Sequence, residues 1–251
     1  MSVSIKTARE LELMRESGRR LEIVHNEMAK IIRPGISTWE INKFGEAKIR
    51  SLGGIPNFLH YNGYPAAICV SVNEEVVHGI PSRKRILREG DIVSLDAGLI
   101  YKGYHSDAAR THMVGTVSPE ARQLVEVTRQ CFFEGIQYAR AGCHLHDISS
   151  AIHACADRFG YGVVRDLVGH GIGTSLHEDP QIPNFRQKNK GIRLRPGMTL
   201  AIEPMINMGR PEVCWLEDNW TVVTEDDSLS AHYENTVLIT DGDPEIFTLT
   251  Q

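Results

Sequence analysis

Hydrophobic residues at helical spacing mark the beginning of the chain. Thr7 and Glu10 form a capping-box pattern, in which the hydroxyl accepts a backbone N–H that the helix leaves free and the glutamate reaches back. Apolar residues then recur at the spacing of one helix face, namely Met14, Leu21, Val24, Met28 and Ile31. The pattern predicts an amphipathic helix that ends before Pro34.

Three further helices are predicted from similar signals. The second begins after Ser37, where Glu40 completes another capping box, and it ends at the glycine pair 53–54. The third begins at Pro119, because proline suits the first helical position. The fourth is expected over 147–159. Each half of the chain therefore begins with two helices.

Short runs rich in β-branched residues follow each pair of helices. They cover 67–72, 92–95 and 111–114 in the first half, and 199–202, 221–223 and 236–239 in the second. Strands and helices do not alternate one by one, so a parallel βαβ arrangement is not indicated. The pattern predicts an α+β fold.

A repeat at one constant offset relates the two halves. The segment 87–90 recurs at 194–197, and both copies run through five residues into an acid, Asp96 and Glu203, which lie 107 residues apart. Two further pairs keep this offset: 33–35 with 140–142, and Gly53 with Gly160. A recurring tight turn would explain one match but not a fixed register.

We therefore predict a single domain in which two halves, residues 1–115 and 116–251, are related by pseudo-two-fold symmetry. A curved antiparallel sheet would lie inside, with the helices outside. The composition of 41% hydrophobic and 24% charged residues is that of an ordinary globular chain and argues against a disordered or fibrous protein.

Net charge and cysteine content restrict the possible partners and the cellular compartment. The net charge of −5 gives no general attraction for nucleic acid or an anionic membrane, so a polyanionic partner would need a local patch. No run of the chain resembles a signal peptide or a membrane span, which favours a cytoplasmic protein. The five cysteines have no CxxC spacing, and we expect them to be reduced and buried.

Four acids lie next to apolar, strand-like runs. Asp96 ends the run 92–95, and Asp107 follows eleven residues later at a distance that suits two adjacent strands. Glu203 ends the run 199–202, and Glu234 precedes 236–239. Each acid alone is more often a turn residue or a solvated strand end. Together they are better explained by convergence on a shared pair of hard or borderline cations, since desolvating several carboxylates costs too much otherwise.

Three histidines are candidates for the same site. His170 stands between glycines that would let another strand approach closely. His177 follows seven residues later, His78 lies in 76–81, and neither fits HExxH. A lone histidine is more often an ordinary core or surface residue. HExxH, GxSxG, Walker A and GxGxxG patterns are all absent from the sequence, which argues against thermolysin-like zinc sites, serine hydrolases, phosphate loops and dinucleotide folds.

Seven short motifs in order carry a resemblance to a known family: VVHGIP, SLDAG, HSDAA, GHGIG, LHEDP, AIEP and YENT. The series covers nearly the whole chain and closely resembles type I methionine aminopeptidases of the pita-bread fold. The resemblance implies two divalent metal ions (Co, Mn, Fe or Zn) that activate a bridging water. It implies that Asp96 and Glu234 hold one ion with Asp107 bridging, and that His170 and Glu203 complete the shell of the second.

The resemblance also implies roles around the metals. Glu203 would carry a proton to the leaving amine, His177 would donate to the developing oxyanion, and His78 would contact the backbone amide of the next residue. Residues expected to line the methionine pocket are Phe58, Tyr61, Tyr64, Cys69, Leu176 and Trp220. Some members carry Cys and Phe in place of Phe58 and Leu176, and well-known relatives carry histidines in place of Asn62 and Asn235.

The implied activity is removal of the N-terminal methionine when the second residue is small. The implied partners are the N-terminus of a nascent polypeptide and, transiently, the ribosome, with a monomer expected and no nucleic-acid motif. Three alternatives remain open. An Xaa-Pro aminopeptidase or prolidase would carry an extra N-terminal domain, a binding protein on this fold would lack metal ligands, and a dinuclear phosphoesterase would need more histidines and basic residues near the acids.

Overall fold

The computed structural model describes residues 3–249. Its α-helices are α1 (Ala8–Ala29), α2 (Thr38–Ser51), α3 (Pro119–Gly135) and α4 (Leu145–Asp157), with short 3-10 turns at Tyr61–Gly63 and Ile136–Tyr138. In that part of the chain, no helix is both long and apolar enough to cross a membrane.

The helix starts follow the predicted caps. Glu10 Oε2 accepts from the backbone N–H of Thr7 at 2.7 Å, and Glu40 Oε2 accepts from that of Ser37 at 2.9 Å, so both capping boxes are confirmed. The fourth helix begins two residues earlier than predicted. The reason is that the Asp147 carboxylate accepts from the backbone N–H of His144 at 2.8 Å, so Asp147 lies inside the first turn and not at its start.

Fifteen short strands form three antiparallel sheets within residues 3–249. They are β1 (Ile55–Pro56), β2 (Ile68–Val72), β3 (Glu75–Val77), β4 (Ile92–Tyr101), β5 (Tyr104–Met113), β6 (Gly162–Val163), β7 (Gly169–Gly171), β8 (Glu178–Ile182), β9 (Thr199–Ile202), β10 (Met205–Asn207), β11 (Val213–Trp215), β12 (Val222–Thr224), β13 (Ser230–His232), β14 (Glu234–Leu238) and β15 (Glu245–Ile246).

The nine-stranded central sheet has the order β1-β4-β5-β14-β9-β7-β8, with β2 beside β4 and β15 beside β14. Two three-stranded sheets, β13-β10-β6 and β11-β12-β3, adjoin it. β4 and β5 are ten residues long, more than twice the predicted runs, and they pair in register from Ile92–Met113 to Tyr101–Tyr104. Asp96 and Gly98 interrupt the apolar run of β4, and residues 104–110 of β5 are mostly polar or small, so neither strand gives a continuous signal.

The two halves repeat each other in backbone detail. Isolated bridges join Ser37 to Ile86 and His144 to Arg193, and both residues of the second pair follow those of the first by 107 positions. The same offset relates the β1–β4 pairing to the β6–β10 pairing, where Pro56↔Leu99 becomes Val163↔Ile206. Gly90 and Gly197 occupy turns with φ of 92° and 87°. The predicted pseudo-two-fold relation is thus present in the fold.

Helices cover one face of the central sheet. α1 and α2 bury residues such as Leu21 and Ile41 against Leu95 of β4, and α3 and α4 bury Leu124 and Ile152 in the cluster that contains β9. Removing this apolar surface from water stabilises the fold at about 25 cal/mol per Å². The helices do not cover the opposite face of the central sheet.

The cysteines only partly match the expectation of burial. Cys69, Cys131 and Cys155 are buried, whereas Cys143 is half-buried and Cys214 is exposed. Cys214 lies on β11, whose side chains at 214 and 215 face solvent at the end of a hairpin.

Candidate metal centre and substrate pocket

Strand register places the four predicted acids on the helix-free face of the central sheet. Asp96 on β4 and Glu234 on β14 both pair with Ala109 of β5, so the three side chains share one face. Asp107 precedes Ala109 by two residues, which returns its side chain to that face. Leu95 and Ala108, one residue away from two of these acids, face the helices instead.

The second half contributes its ligands in the same way. His170 on β7 pairs with Ala201 of β9, and Glu203 follows Ala201 by two residues on the same face. A Cβ at Gly169 would collide with the Ala201 carbonyl oxygen, and one at Gly171 with the Asp179 carbonyl oxygen. The glycines therefore let β7 lie between two strands, as the sequence suggested.

The ligand-type atoms of these residues converge. His170 Nε2 lies 4.0 Å from Asp107 Oδ2 and 3.7 Å from Glu203 Oε1. One atom each from Asp107, His170 and Glu234 lie within 4.8 Å of one another. Asp96 lines the same cavity. All five predicted ligands are therefore brought together by the fold.

Burial makes this acid cluster costly without a cation. Burial raises the pKa of Asp96 to about 7, and burial together with the charges of Asp96 and Glu203 raises the pKa of Asp107 well above its usual range. Burial also raises the pKa of Glu203 and Glu234, helped by their acidic neighbours. Asp96 Oδ1 and Glu234 Oε1 are buried and accept no hydrogen bond from the described residues.

These properties fit a divalent metal centre. Four carboxylates and one imidazole are a donor set that hard and borderline divalent cations accept. Unpaired buried carboxylate oxygens would be strongly destabilising unless a cation compensates them. Arg110 of β5 does not compensate them, because it donates to the backbone carbonyls of Ala109 and Glu234 and to Asn235 Oδ1.

The two predicted substrate histidines lie beside the acids. The ring of His177 packs edge-on against His170 with centroids 4.3 Å apart, and its Nδ1 lies 2.7 Å from the Tyr61 hydroxyl. Burial lowers the pKa of His177. His78 lies on the other side near Trp220, with ring centroids 6.3 Å apart, and burial lowers its pKa to about 4. Both imidazoles are therefore neutral near pH 7.

An apolar recess adjoins the acids within a cavity of about 170 Å³. The cavity is lined by all six residues predicted for the methionine pocket: Phe58, Tyr61, Tyr64, Cys69, Leu176 and Trp220. Tyr64 and Trp220 meet edge-on with centroids 5.1 Å apart, and the Tyr64 hydroxyl donates to the Gly79 carbonyl at 2.9 Å. One wall is thus aromatic and closed, while the other carries the acids.

Asn62 and Asn235, which stand where well-known relatives carry histidines, lie in different parts of the structure. Asn62 lines the cavity, so the change there alters the wall of the pocket. Asn235 is fully buried on the helix-covered side, where its Oδ1 accepts from Arg110 Nη2 at 2.6 Å and from the Thr248 hydroxyl at 2.9 Å. Through these hydrogen bonds the Asn235 side chain stabilises β14 on the face of the sheet opposite the acids.

Sequence reasoning missed the residues that hold the ligands in place. The Thr236 hydroxyl accepts from the backbone N–H of Asp107 and donates to its carbonyl, both at 2.9 Å. This pair of bonds joins β14 to β5 between the two halves. A polar residue inside the apolar run 236–239 was the available signal, but its partner 129 positions away could not be read from spacing.

Comparison with known proteins agrees with this geometry. The family model described as "Metallopeptidase family M24" matches residues 12–241. Curated methionine aminopeptidases of Clostridium acetobutylicum and Bacillus subtilis are 49% and 50% identical, over 99% and 97% of this chain and 100% and 98% of theirs. The crystal structure of a methionine aminopeptidase from Thermotoga maritima superimposes with a TM-score of 0.97 at 44% identity, covering 99% of this chain and 100% of that chain.

The rival peptidases share the fold less closely. An Xaa-Pro dipeptidase from Bacillus anthracis superimposes with a TM-score of 0.79 at 25% identity, and the match covers 98% of this chain but 62% of that one. The remaining part of that relative has no counterpart in this chain. The chain belongs to metallopeptidase family M24 and, within it, to the methionine aminopeptidases.

Proposed function

We propose that the protein hydrolyses the peptide bond after an N-terminal methionine, using two divalent metal ions. The observation that carries this proposal is the placement of five ligand-type side chains on one sheet face beside an apolar recess. Asp96 and Glu234 would hold one ion with Asp107 shared, and His170 and Glu203 the other. Bound divalent ions lower the pKa of water and stabilise negative charge on a carbonyl oxygen.

Glu203 is positioned to move the proton. Its carboxylate lies at the edge of the acid cluster, with Oε1 3.7 Å from His170. The buried surroundings that raise its pKa make it a better base than a solvated carboxylate. It accepts the proton of the attacking water and returns it to the departing amine.

His177 supplies a hydrogen-bond donor to the scissile carbonyl. The Tyr61 hydroxyl lies 2.7 Å from Nδ1. We propose that this hydroxyl donates to Nδ1, which would place the imidazole proton on Nε2. A neutral imidazole held in this tautomer donates without carrying its own charge, and a fixed donor stabilises the oxyanion as it forms. His78 lies opposite, beside Trp220, where it contacts the backbone of the second residue.

The apolar recess selects methionine. Its side chains offer aromatic and aliphatic surface with few polar atoms, and an unbranched thioether adapts to such a surface. The recess closes at Tyr64 and Trp220, so one side chain enters it. A large second residue would have to displace the surrounding histidines, and this crowding underlies the preference for a small one.

The test is release of free methionine from Met-Ala-Ser and Met-Leu-Ser peptides. The protein is stripped of metal and then titrated separately with Mn, Fe, Co and Zn. We expect cleavage of the first peptide only, restored by metal. Cleavage of Xaa-Pro peptides without methionine release would favour the sister peptidases, and release by metal-stripped protein would contradict the ligand assignment.

We further propose that the protein acts in the cytoplasm as a monomer and contacts the ribosome transiently. The support for the ribosome contact alone is an exposed loop with no acidic residue between 186 and 195, and its basic residues are Arg186, Lys188, Lys190, Arg193 and Arg195. Such a loop complements RNA phosphates. Reversing Lys188 and Lys190 to Glu should weaken co-sedimentation with ribosomes while peptide cleavage is unchanged. Equal co-sedimentation of both proteins would contradict this placement.

A further inference from the structure

His232 is a buried histidine without a hydrogen-bond partner. It ends β13, it is 2% exposed, and neither Nδ1 nor Nε2 meets a polar atom of the described residues at hydrogen-bond distance. Leaving a buried polar group without a hydrogen-bond partner destabilises the folded state. A leucine or methionine would fill the same space without that cost, so the imidazole needs another explanation.

The backbone of His232 is held firmly. Its N–H donates to the Thr111 hydroxyl and its carbonyl accepts from that hydroxyl, both at 2.9 Å. The Thr111 hydroxyl in turn lies 2.8 Å from the hydroxyl of Ser94, one strand further into the sheet. His232 also pairs with Met205 of β10. The ring therefore projects from a fixed point between two sheets.

The ring points at one of the proposed metal ligands. His232 Nε2 lies 3.7 Å from Glu203 Oε2, and no other carboxylate of residues 3–249 lies within 4.0 Å of the ring nitrogens. The opposite oxygen, Oε1, lies 3.7 Å from His170 Nε2. Glu203 thus stands between two histidines, one on each oxygen, while its backbone carbonyl accepts from Asn184 Nδ2 at 3.0 Å.

The distance suits a hydrogen bond that is closed by a small movement or by one water. A direct N–H···O bond spans about 2.7–3.2 Å, and longer polar contacts are commonly bridged by ordered water. The neighbouring charged or titratable groups His78 and Arg110 do not offer an anionic acceptor. Glu203 Oε2 is therefore the acceptor that an N–H on Nε2 of His232 would face.

We propose that His232 is a positioning residue. It donates from Nε2 to Glu203 Oε2, directly or through one water, and so keeps Oε1 turned toward His170 and the metal cluster. Groups that orient a metal-binding carboxylate in this way raise both metal affinity and catalytic rate. The inference rests on the proposed function for its effect on turnover, but its effect on metal binding does not depend on the reaction.

The test compares His232→Leu, which removes the donor, with His232→Gln, which keeps a donor of similar reach. We expect Leu to weaken Mn²⁺ binding to metal-stripped protein, measured by calorimetry, by about 10–100-fold. It should lower kcat on Met-Ala-Ser to a similar extent with little change in KM. Gln should restore both quantities to within about threefold of the wild type, which a merely space-filling role would not produce.

His112→Leu is the matched control. His112 is a half-buried histidine whose Nε2 is buried and unpartnered, but it lies on β5 at the same face as Ala108, which packs with the helices. Mn²⁺ affinity should be unchanged in this variant. Wild-type affinity and kcat in His232→Leu would overturn the proposal, and so would equal impairment of the Gln and Leu variants.

A second measurement needs no change at His232. In metal-stripped protein labelled with ¹⁵N-histidine, His232 should be protonated at Nε2, and Glu203→Gln should shift that resonance. Protonation at Nδ1, or a His232 resonance that does not shift in Glu203→Gln, would refute the proposed donation from Nε2 to Glu203. If the wild-type protein binds Mn²⁺ with the expected pattern but releases no methionine, the proposed function fails while the positioning role stands.

Discussion

At the scale of single residues, neighbours decide what each polar group of the site can do. Tyr61 and Tyr64 both line the recess, yet the Tyr61 hydroxyl meets an imidazole nitrogen and the Tyr64 hydroxyl meets a backbone carbonyl. In the proposed mechanism the first contact sets the tautomer of His177, while the second satisfies the buried Tyr64 hydroxyl. The sequence presents the two tyrosines as equivalent pocket residues.

Replacing Tyr61 by Phe tests the tautomer argument. The ring and its apolar surface are kept, but Nδ1 of His177 loses its donor and the imidazole proton is no longer confined to Nε2. We expect kcat for Met-Ala-Ser to fall by about tenfold or more with KM nearly unchanged. Steady-state kinetics measure both. Tyr104→Phe, which removes only a hydroxyl bonded to Glu10, is the control. A rise in KM alone would contradict the role given to Tyr61.

At the scale of elements, close strand packing positions the ligands. β7 is three residues long and lies between β8 and β9 because the glycines on both sides of His170 have no Cβ. On the helix-covered face of the sheet, local hydrogen bonds set where the helices begin. There, capping boxes at Ser37 and Thr7 begin helices whose apolar faces cover the sheet.

Gly171→Ala is expected to disrupt this packing. The added Cβ would meet the backbone carbonyl of Asp179, which cannot rotate away as a side chain could. We expect a loss of about 2–4 kcal/mol in the free energy of unfolding, together with weaker metal binding as His170 moves. Urea unfolding and calorimetric metal titration measure the two effects. Gly242→Ala, with no atom within 4 Å of the added Cβ, should be neutral. Equal stability of the two variants would show that β7 can shift freely.

At the scale of the whole molecule, the proposed metal ligands lie where the two halves meet. β5 and β14 are adjacent in the central sheet, and they come from different halves of the repeat. Asp96 and Asp107 belong to the first half, while His170, Glu203 and Glu234 belong to the second. Ligand binding at this junction should therefore stabilise both halves together.

Metal addition is expected to raise the unfolding free energy in one cooperative step. A ligand that binds only the folded state at 100 times its Kd contributes about 2.7 kcal/mol. Calorimetric unfolding of stripped and Mn²⁺-loaded protein measures the shift. Asp96→Asn, which keeps the shape but loses a charge, should lose most of it. Two separate transitions, only one of them moved by metal, would contradict the shared site.

The pH dependence of stability should carry the signature of His25. This histidine of α1 is buried, and burial followed by the charge of Arg110 lowers its pKa well below 6.5. The His25 imidazole therefore stays neutral in the folded protein at pH values where the same side chain takes up a proton in the unfolded chain. The contribution of neutral His25 to the free energy of unfolding is fully present above pH 6.5. It is lost as the pH falls toward the lowered pKa, by up to about 1.4 kcal/mol per pH unit.

His25→Gln keeps a donor to the Ala108 carbonyl, which His25 Nε2 meets at 2.8 Å, but it does not titrate. In metal-stripped protein, the stability lost between pH 7.5 and 5.5 should be smaller in this variant than in the wild type. Urea unfolding at the two pH values measures the difference. Identical losses would mean that His25 takes up its proton in the folded state as readily as in the unfolded chain.

The sequence by itself determined the local features of this protein. The caps at Thr7 and Ser37, the helix start at Pro119, the repeat offset and the five ligand-type residues are all visible along the chain, because they depend on neighbours or on residue chemistry. The lengths of β4 and β5 were underestimated, since Asp96 and Gly98 interrupt the apolar run of β4 and residues 104–110 of β5 are mostly polar or small.

Only the tertiary structure decided which side chains meet. The pairing of β5 with β14, the bond from Tyr61 to His177 and the approach of His232 to Glu203 join positions far apart in the chain. Such contacts follow from strand register and packing across the pseudo-two-fold, where a shift of one residue would turn every ligand to the opposite face. No local pattern encodes that register, so the site as a working arrangement is a property of the folded chain.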